Sequence, residues 1–461
     1  MSTTNENVKI IINEHDLTTG AGTGVSSSDI AFVPGFSCNE NAPKNIPVLC
    51  TSVKEFEANF GNTPYKLTEK DIAGYESYGF IEGTYDPSYV FAKELLYQGM
   101  FVIYANLAPL TQEGELDKVT SKLNSFYKLD ELKDAEWNIR NVIKQLEDRN
   151  EYSVKYLTSG GYPSIVIIEG KGNDIFAGDM IDVCATRGDA VALVDYQKTT
   201  DVTLFDIGEG DDTKSVYKDM QSIFEYSANG EFGAAMYPWA EYTCVSSLRS
   251  VETDPQKWTM HMPASFGYLM CLAKAIKTSP NWLAMAGVSR GLVPNVKGLL
   301  TKGILTNTIA EEMQPKFGEK GKQTVSVNCI TNIRPYGLCI WGNRTLKPMG
   351  PDGAVALNFL NTRNMISDIK KVLYTSAKEL MFEQNCDTLW IRFKSLVTPL
   401  LNQLKSGNGI SDYKVIKSDT NYEGNPLQKG ELAAVIRIFP LHAVEYFELN
   451  VEIRDNDVTV S

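Results

Sequence analysis

The first residues to weigh are those that match the spacing of a catalytic site. Gly287-Val288-Ser289-Arg290-Gly291 has the form G-x-S-x-G, which presents a nucleophilic serine where a strand turns sharply into a helix. Here Leu292, Val293 and Pro294 follow, so a helix starting at the serine is interrupted within its first turns. The expectation is a glycine-bounded loop. The base for Ser289 would be His442, just after Pro440 in a strand-rich segment. Asp195, His261 and Ser265 also stand in the order of one hydrolase class. With only three histidines in the chain (His15, His261, His442), each can be judged singly. His261 runs into Met262-Pro263, and Ser265 lies four residues on. A triad is a matter of geometry, and this spacing gives no positioned base and nucleophile, so His261 is expected to be structural or at the surface.

Phosphate and metal chemistry fare no better. Gly20–Gly24 (GAGTG) neither follows a strong strand nor precedes a helix, and GKGN at 170–173 lacks the Lys-Ser/Thr end of a phosphate loop. Glu209, Asp211 and Asp212 in GEGDD carry hard oxygen ligands without the spacing of a calcium loop, and read as an acidic surface turn. The eight cysteines are scattered, none in a C-x-x-C pair and most in apolar runs. That is the usage of free, buried thiols in a reducing compartment. No His/Cys set has zinc spacing. No catalytic residue, metal or cofactor is expected, and the chain is not read as an enzyme.

The remaining charge pattern worth weighing is basic. Arg363, Lys370, Lys371 and Lys378 fall partly on one face of a predicted helix, Arg363–Met381. They are either a solvated face or an electrostatic patch for a partner of an otherwise acidic protein.

The elements that must position these residues follow from pattern. A chain of 461 residues implies two to three domains. With 43% hydrophobic and 22% charged residues it reads as folded and soluble, and a net charge of −13 argues against a nucleic-acid partner. The N-terminus has no basic region followed by a long apolar one. The most apolar stretch, 266–288, is broken by Lys274, Lys277 and Pro280, so no membrane insertion is expected.

Strands are predicted at Val8–Ile12, Ile30–Val33, Ile46–Cys50 and Phe101–Tyr104, with helices at Ser52–Phe60 (Ser52 as N-cap) and Asp86–Gln98 (Asp86 capping, Pro87 at the first position). Thr111–Asn150 is charged and helix-prone, and reads as an insertion. Beyond it come strands at Val154–Leu157, Ser164–Glu169 and Val191–Asp195, and helices near Asp179–Arg187, Lys214–Tyr226 and Phe266–Lys277. Strand, helix and strand in alternation describe an α/β layer. From Asn332 the character changes, with strands at Leu338–Trp341, Tyr413–Lys417, Ala433–Phe439 and Glu445–Val451. The helices Arg363–Met381 and Asp387–Leu404 lie between them.

Within that last third, Gly337–Leu346 (GLCIWGNRTL) resembles a strand motif of contractile phage tail-sheath proteins, carried by Gly337, Trp341, Gly342, Arg344 and Thr345. The arginine-led helix from Arg363 follows, then FEQNCDTLW with Phe382, Glu383, Asn385 and Trp390, the turn Gly409–Tyr413 and the strand Ala433–Pro440. Looser matches are Ser52–Gly61, Val191–Gln197, Tyr237–Trp239 and Met262–Ala275. The last lacks the double proline common in the family, and 111–150 has no counterpart.

The resemblance implies a fold of α/β and α+β class. A subtilisin-like α/β middle domain without working catalysis would be joined to a C-terminal α+β sheath domain, with extended N- and C-terminal arms. The expected divisions are 1–30 (N-terminal arm), 31–330 (α/β domain with the 111–150 insertion), 331–453 (C-terminal domain) and 454–461 (C-terminal arm). By the same resemblance, Val8, Lys9, Ile10, Ile11, Ile12, Val458, Thr459 and Val460 are inter-subunit strands, and Leu338–Trp341 belongs to a small C-terminal sheet that other subunits finish. A C-terminal helix faces an inner tube, with Arg363, Lys370, Lys371 and Lys378 as the candidate and Asp387–Leu404 as the competitor. The implied function is a tail-sheath subunit in the virion tail, stacked in hexameric rings around the tube and contracting to drive it through the host envelope. Its partners would be itself, the tube, the baseplate and a tail terminator. A serine hydrolase, or another tail component such as a tube or baseplate protein, is the alternative.

Overall fold

The computed structural model describes residues 30–108, 121–127, 138–198, 216–277, 279–280, 282–301, 305, 310, 313–314, 324–349, 354–420, 425–427 and 430–441. The strands expected at Val8–Ile12, Glu445–Val451 and Val458–Val460, residues His15 and His442, the strings at 20–24 and 208–212, and parts of the 111–150 insertion lie outside the described residues.

In chain order, β1 (Ile30–Gly35) and β2 (Pro47–Cys50) lead to α1 (Val53–Phe60), where the Ser52 hydroxyl accepts the Glu55 N–H. In α2 (Pro87–Gln98) the Asp86 carboxylate caps the first turn by accepting the Ser88 N–H, and Pro87 fills the position whose missing donor costs nothing. Then follow β3 (Phe101–Asn106), α3 (Asn138–Gln145), β4 (Tyr156–Thr158) and the hairpin β5 (Ile165–Ile168)–β6 (Lys171–Asp174). The chain continues through α4 (Ala177–Arg187), β7 (Val191–Asp195), α5 (Val216–Phe224), β8 (Gly233–Tyr237), β9 (Ala240–Thr243) and β10 (Thr259–Met262). After α6 (Ala264–Ala275) come β11 (Val296–Leu299), β12 (Val327–Ile333) and β13 (Gly337–Trp341). The last third holds α7 (Leu360–Leu380), α8 (Asp387–Ser406), β14 (Ile410–Ser418) and β15 (Ala433–Pro440).

The frame is an eight-stranded sheet in the order β13-β12-β8-β7-β4-β1-β3-β2. Strands β12, β8, β7, β4, β1 and β3 run parallel, and β13 and β2 close the two edges antiparallel. Because side chains alternate across a strand, Ile30 and Phe32 of β1 enter one core while Ala31 and Val33 enter the other. The first core packs against α3, α4 and α5 through Ile139, Val142, Met180 and Met220, and the second against α1, α2 and α6 through Phe56, Phe91 and Leu269. Each such side chain taken out of water contributes roughly 1.5–3 kcal/mol. Strands buried on both faces must be apolar throughout, which is why VALVD at 191–195 was legible as a central strand.

One expectation is corrected here. Leu338–Trp341 does not belong to a small C-terminal sheet. It is the edge strand of the large one, with Ile340 opposite Ile330 and Leu338 opposite Asn332. The expected boundary at 331 falls inside β12. The turn that returns the chain is tight enough to need Gly337 at φ 106, and it brings Cys339 and Ile340 back over a core that β12 has already half built.

Candidate assembly surface

The residues singled out for catalysis separate in space. Asp195, at the end of β7, does meet Ser265 on the first turn of α6: its carboxylate accepts the Ser265 N–H at 3.1 Å, and both are buried. Burial with few donors pushes the Asp195 carboxyl up to about 7. Among the described residues no histidine lies between them. His261 is exposed on β10, with Nδ1 3.4 Å from the Lys198 ammonium, and partial burial with that nearby charge holds its pKa below the usual value. Ser289 is exposed on a single helical turn, Gly287–Arg290, which Ala286 enters as extended chain outside any strand. Among the described residues neither serine has the base a nucleophile requires. Asp195 instead acts as a cap for α6.

The family-like motif is a junction. At Gly342 a Cβ would stand 2.8 Å from Asn328 Oδ1 and 2.9 Å from Asn328 Cα, so only glycine lets the chain leave β13 this close to β12. Beyond it, the Arg344 N–H donates to Asn328 Oδ1 at 2.8 Å, and the guanidinium lies 4.4 Å over the Phe359 ring. The Thr345 hydroxyl donates to the Leu357 carbonyl at 2.7 Å, and Asn343 Nδ2 donates to Asn361 Oδ1 at 2.7 Å. These bonds lock the edge of the large sheet to the start of α7.

Helix α7 then overturns the exposed basic patch. Arg363 is 0% exposed: Nη2 donates to the Gly188 carbonyl at 3.3 Å and the guanidinium lies 4.5 Å over Phe232. Lys370 is buried against Gly188. The Lys371 ammonium is enclosed, and burial pulls it down to about 8. Lys378 is exposed but donates to Asn150 Oδ1. On the same helix Asp368 pairs at 2.8 Å with Lys155, at the head of β4, both out of water. The bases of α7 fasten it to the α/β layer. Sequence periodicity placed them partly on one face without telling that Arg363, Lys370 and Lys371 turn inward while Lys378 stays at the surface.

The exposed surface lies beyond. At the α7–α8 turn Phe382 is 87% exposed with φ 67, Glu383 pairs with Arg392 at 3.2 Å, Asn385 donates to the Glu431 carbonyl at 2.9 Å, and Trp390 stacks on Phe393 with ring centroids 5.8 Å apart. Helix α8 buries Val397, Leu400, Leu401 and Leu404 against Met365, Ile369 and Trp282, and turns Ile391 and Leu396 outward. On its inner side Tyr413, Val415, Ile436 and Ile438 of the ribbon β14–β15 complete that small core, while Lys417–Asp387 (3.0 Å) and Lys405–Asp412 (2.9 Å) tie ribbon to helix. The ribbon has only two strands among the described residues, so each presents an outer edge of N–H and C=O groups. A two-stranded ribbon is marginal alone, and unpaired edges of this kind can accept a further strand.

Comparison with known proteins bears on this region. Residues 355–454 match the family described as "Phage tail sheath C-terminal domain". A tail sheath protein of Vibrio phage KVP40 is 24% identical over 174 residues, covering 38% of this chain and 24% of that protein. The tail sheath protein of Enterobacteria phage T4 is 22% identical over 197 residues, 43% of this chain and 27% of that protein. The matches therefore span about a quarter of those relatives' length. Among solved structures, the sheath of the PVC extracellular contractile injection system in its contracted state aligns with TM-score 0.55 at 15% identity, covering 99% of both chains. A chain of the anti-feeding prophage baseplate aligns with TM-score 0.56 at 14% identity, covering 97% of this chain and 99% of that one. At these identities the structural likeness establishes the fold.

Proposed function

We propose that this chain, which belongs to the contractile tail sheath family, is the repeating subunit of a sheath that polymerises around a tail tube and contracts to drive it through a host envelope. The observation that carries the proposal is the β14–β15 ribbon. It lies within the family-matched residues, closes a small core on one face, and leaves both strand edges without a partner among the described residues. In this reading terminal arms of neighbouring copies, residues 1–30 and 454–461 with strands Val8–Ile12 and Val458–Val460, add to those edges. Six-fold rings then stack into a tube that ends at a baseplate and a terminator.

The mechanics follow from what is rigid and what is not. Buried pairs such as Lys155–Asp368 fasten α7 to the α/β layer, so the body of each subunit moves as a unit and shape change falls to the connections between copies. Contraction is then a repacking from a metastable arrangement to one with more buried surface, needing no nucleotide. Because the first half of α7, Leu360–Lys370, is buried, the tube-facing element in this reading is α8, through Ile391 and Leu396, with Phe382 on the turn before it. No helix among the described residues is long and apolar enough to cross a membrane.

Electron microscopy of the purified chain is the direct test. Long, wide, striated tubes are the expected result, and narrow tubes or isolated particles count against a sheath. Chains lacking 1–12 or 454–461 should stay folded and fail to form tubes. Normal tubes from either truncation refute the arm assignment.

A further inference from the structure

In the register of the ribbon, Lys414 stands directly opposite Arg437, and Ile416 directly opposite Val435. All four side chains are exposed on the ribbon's outer face. Like charges placed opposite one another across a strand pair weaken it. The other bases nearby are matched, Lys417 by Asp387 and Lys405 by Asp412, but Lys414 and Arg437 have no ion pair among the described residues. Lys414 lies within electrostatic reach of Asp412, whose carboxylate Lys405 already holds at 2.9 Å. The face thus carries two rows across its strands, one cationic and one apolar, two residues apart, and among the described residues neither outer edge is paired.

The ends of the chain carry the complement. Ile453-x-Asp455-x-Asp457 and Ile12-x-Glu14-x-Asp16 each have an apolar residue and then acids at alternate positions, a spacing that pairing as a strand would bring to one face. The order from apolar to charged is that of Val435 to Arg437 along β15. A segment of either kind therefore fits antiparallel beside β14 or parallel beside β15. Either way its isoleucine joins the Ile416–Val435 row and its first acid the Lys414–Arg437 row.

Building on the strand-addition reading above, we propose that Lys414 and Arg437 form a charge row that selects and registers the acidic terminal segments of second copies of this chain. The apolar-x-acid-x-acid spacing is what the row recognises. A shift by one residue would turn the acids to the opposite face and leave the cations facing one another, so the row also fixes register. In the free subunit the like-charge pair weakens the ribbon, and the arriving acids remove that strain.

The test is charge reversal in the full chain, read as the concentration at which half the protein sediments as tubes. K414E/R437E should raise that concentration roughly fivefold or more, as expected for losing about 1 kcal/mol of cross-strand pairing per edge. Adding E14K, D16K, D455K and D457K to the same chain should restore it. A neutral variant, K414Q/R437Q, should have a monomer at least as heat-stable as the parent yet assemble less well, a split that a purely structural role for the pair does not produce. Unchanged assembly of K414E/R437E, or a defect that the four acid reversals do not repair, overturns the proposal. If truncation of the arms abolishes tubes while the charge reversals do nothing, the charge row alone is wrong. If the truncated chains still form tubes, the strand-addition reading fails with it.

Discussion

Lys155 and Asp368, separated by 213 residues in sequence, meet in a 2.8 Å ion pair that solvent does not reach. One belongs to the central sheet and the other to the C-terminal helix α7, so this contact joins the two parts of the subunit.

Removing one partner leaves the other charged and buried. Lys155→Met or Asp368→Asn should each cost about 3–5 kcal/mol in denaturant unfolding, whereas replacing both by apolar residues of similar volume should cost far less. Single variants that lose under about 1 kcal/mol would show that the pair does not fasten α7.

Asp195 makes stability depend on pH. Its carboxyl is raised from 3.8 to about 7 in the folded chain, so the folded state holds this proton more tightly than the unfolded one. That contribution is fully present below pH 4, is lost as pH rises towards 7, and stays lost above. At about 1.4 kcal/mol per pH unit, the difference between parent and Asp195→Asn should change by roughly 4 kcal/mol across that window, in favour of the variant at high pH. Parallel stability curves for the two proteins from pH 4 to 8 would exclude it.

Gly342 stands where a Cβ has no room, against the backbone and side chain of Asn328. Gly342→Ala should destabilise by roughly 1–3 kcal/mol through overpacking. It should also loosen α7 before the sheet, seen as faster amide exchange in Leu360–Lys370 than in β7. Unchanged exchange in both would mean that the motif does not hold this junction.

Ile391 and Leu396 sit outward on α8, away from its core contacts. Ile391→Glu with Leu396→Glu should leave the melting temperature within a few degrees, since surface changes shift stability by about 0.5 kcal/mol or less. The same variant should fail to co-sediment with the tube protein. Retained co-sedimentation would move the tube-facing surface elsewhere.

Much of this protein was written locally. Ser52 and Asp86 cap α1 and α2 as their positions foretold, because capping depends on a few consecutive residues. VALVD fixed a strand buried on both faces for a similarly local reason, and the weakness of the hydrolase strings followed from residues directly beside Ser289 and Ser265. What the chain could not disclose alone is which face of an element looks inward. The bases of α7 fall partly on one face by periodicity, yet only the packing of that helix on Gly188, Phe232 and Lys155 takes Arg363, Lys370 and Lys371 inside and leaves Lys378 at the surface. Likewise GLCIW was a strand from its residues, but its pairing with β12 rests on contacts that its own sequence does not contain. Local propensity chooses the element. Long-range burial and register, which depend on what else is near, decide whether its charges become surface or staple.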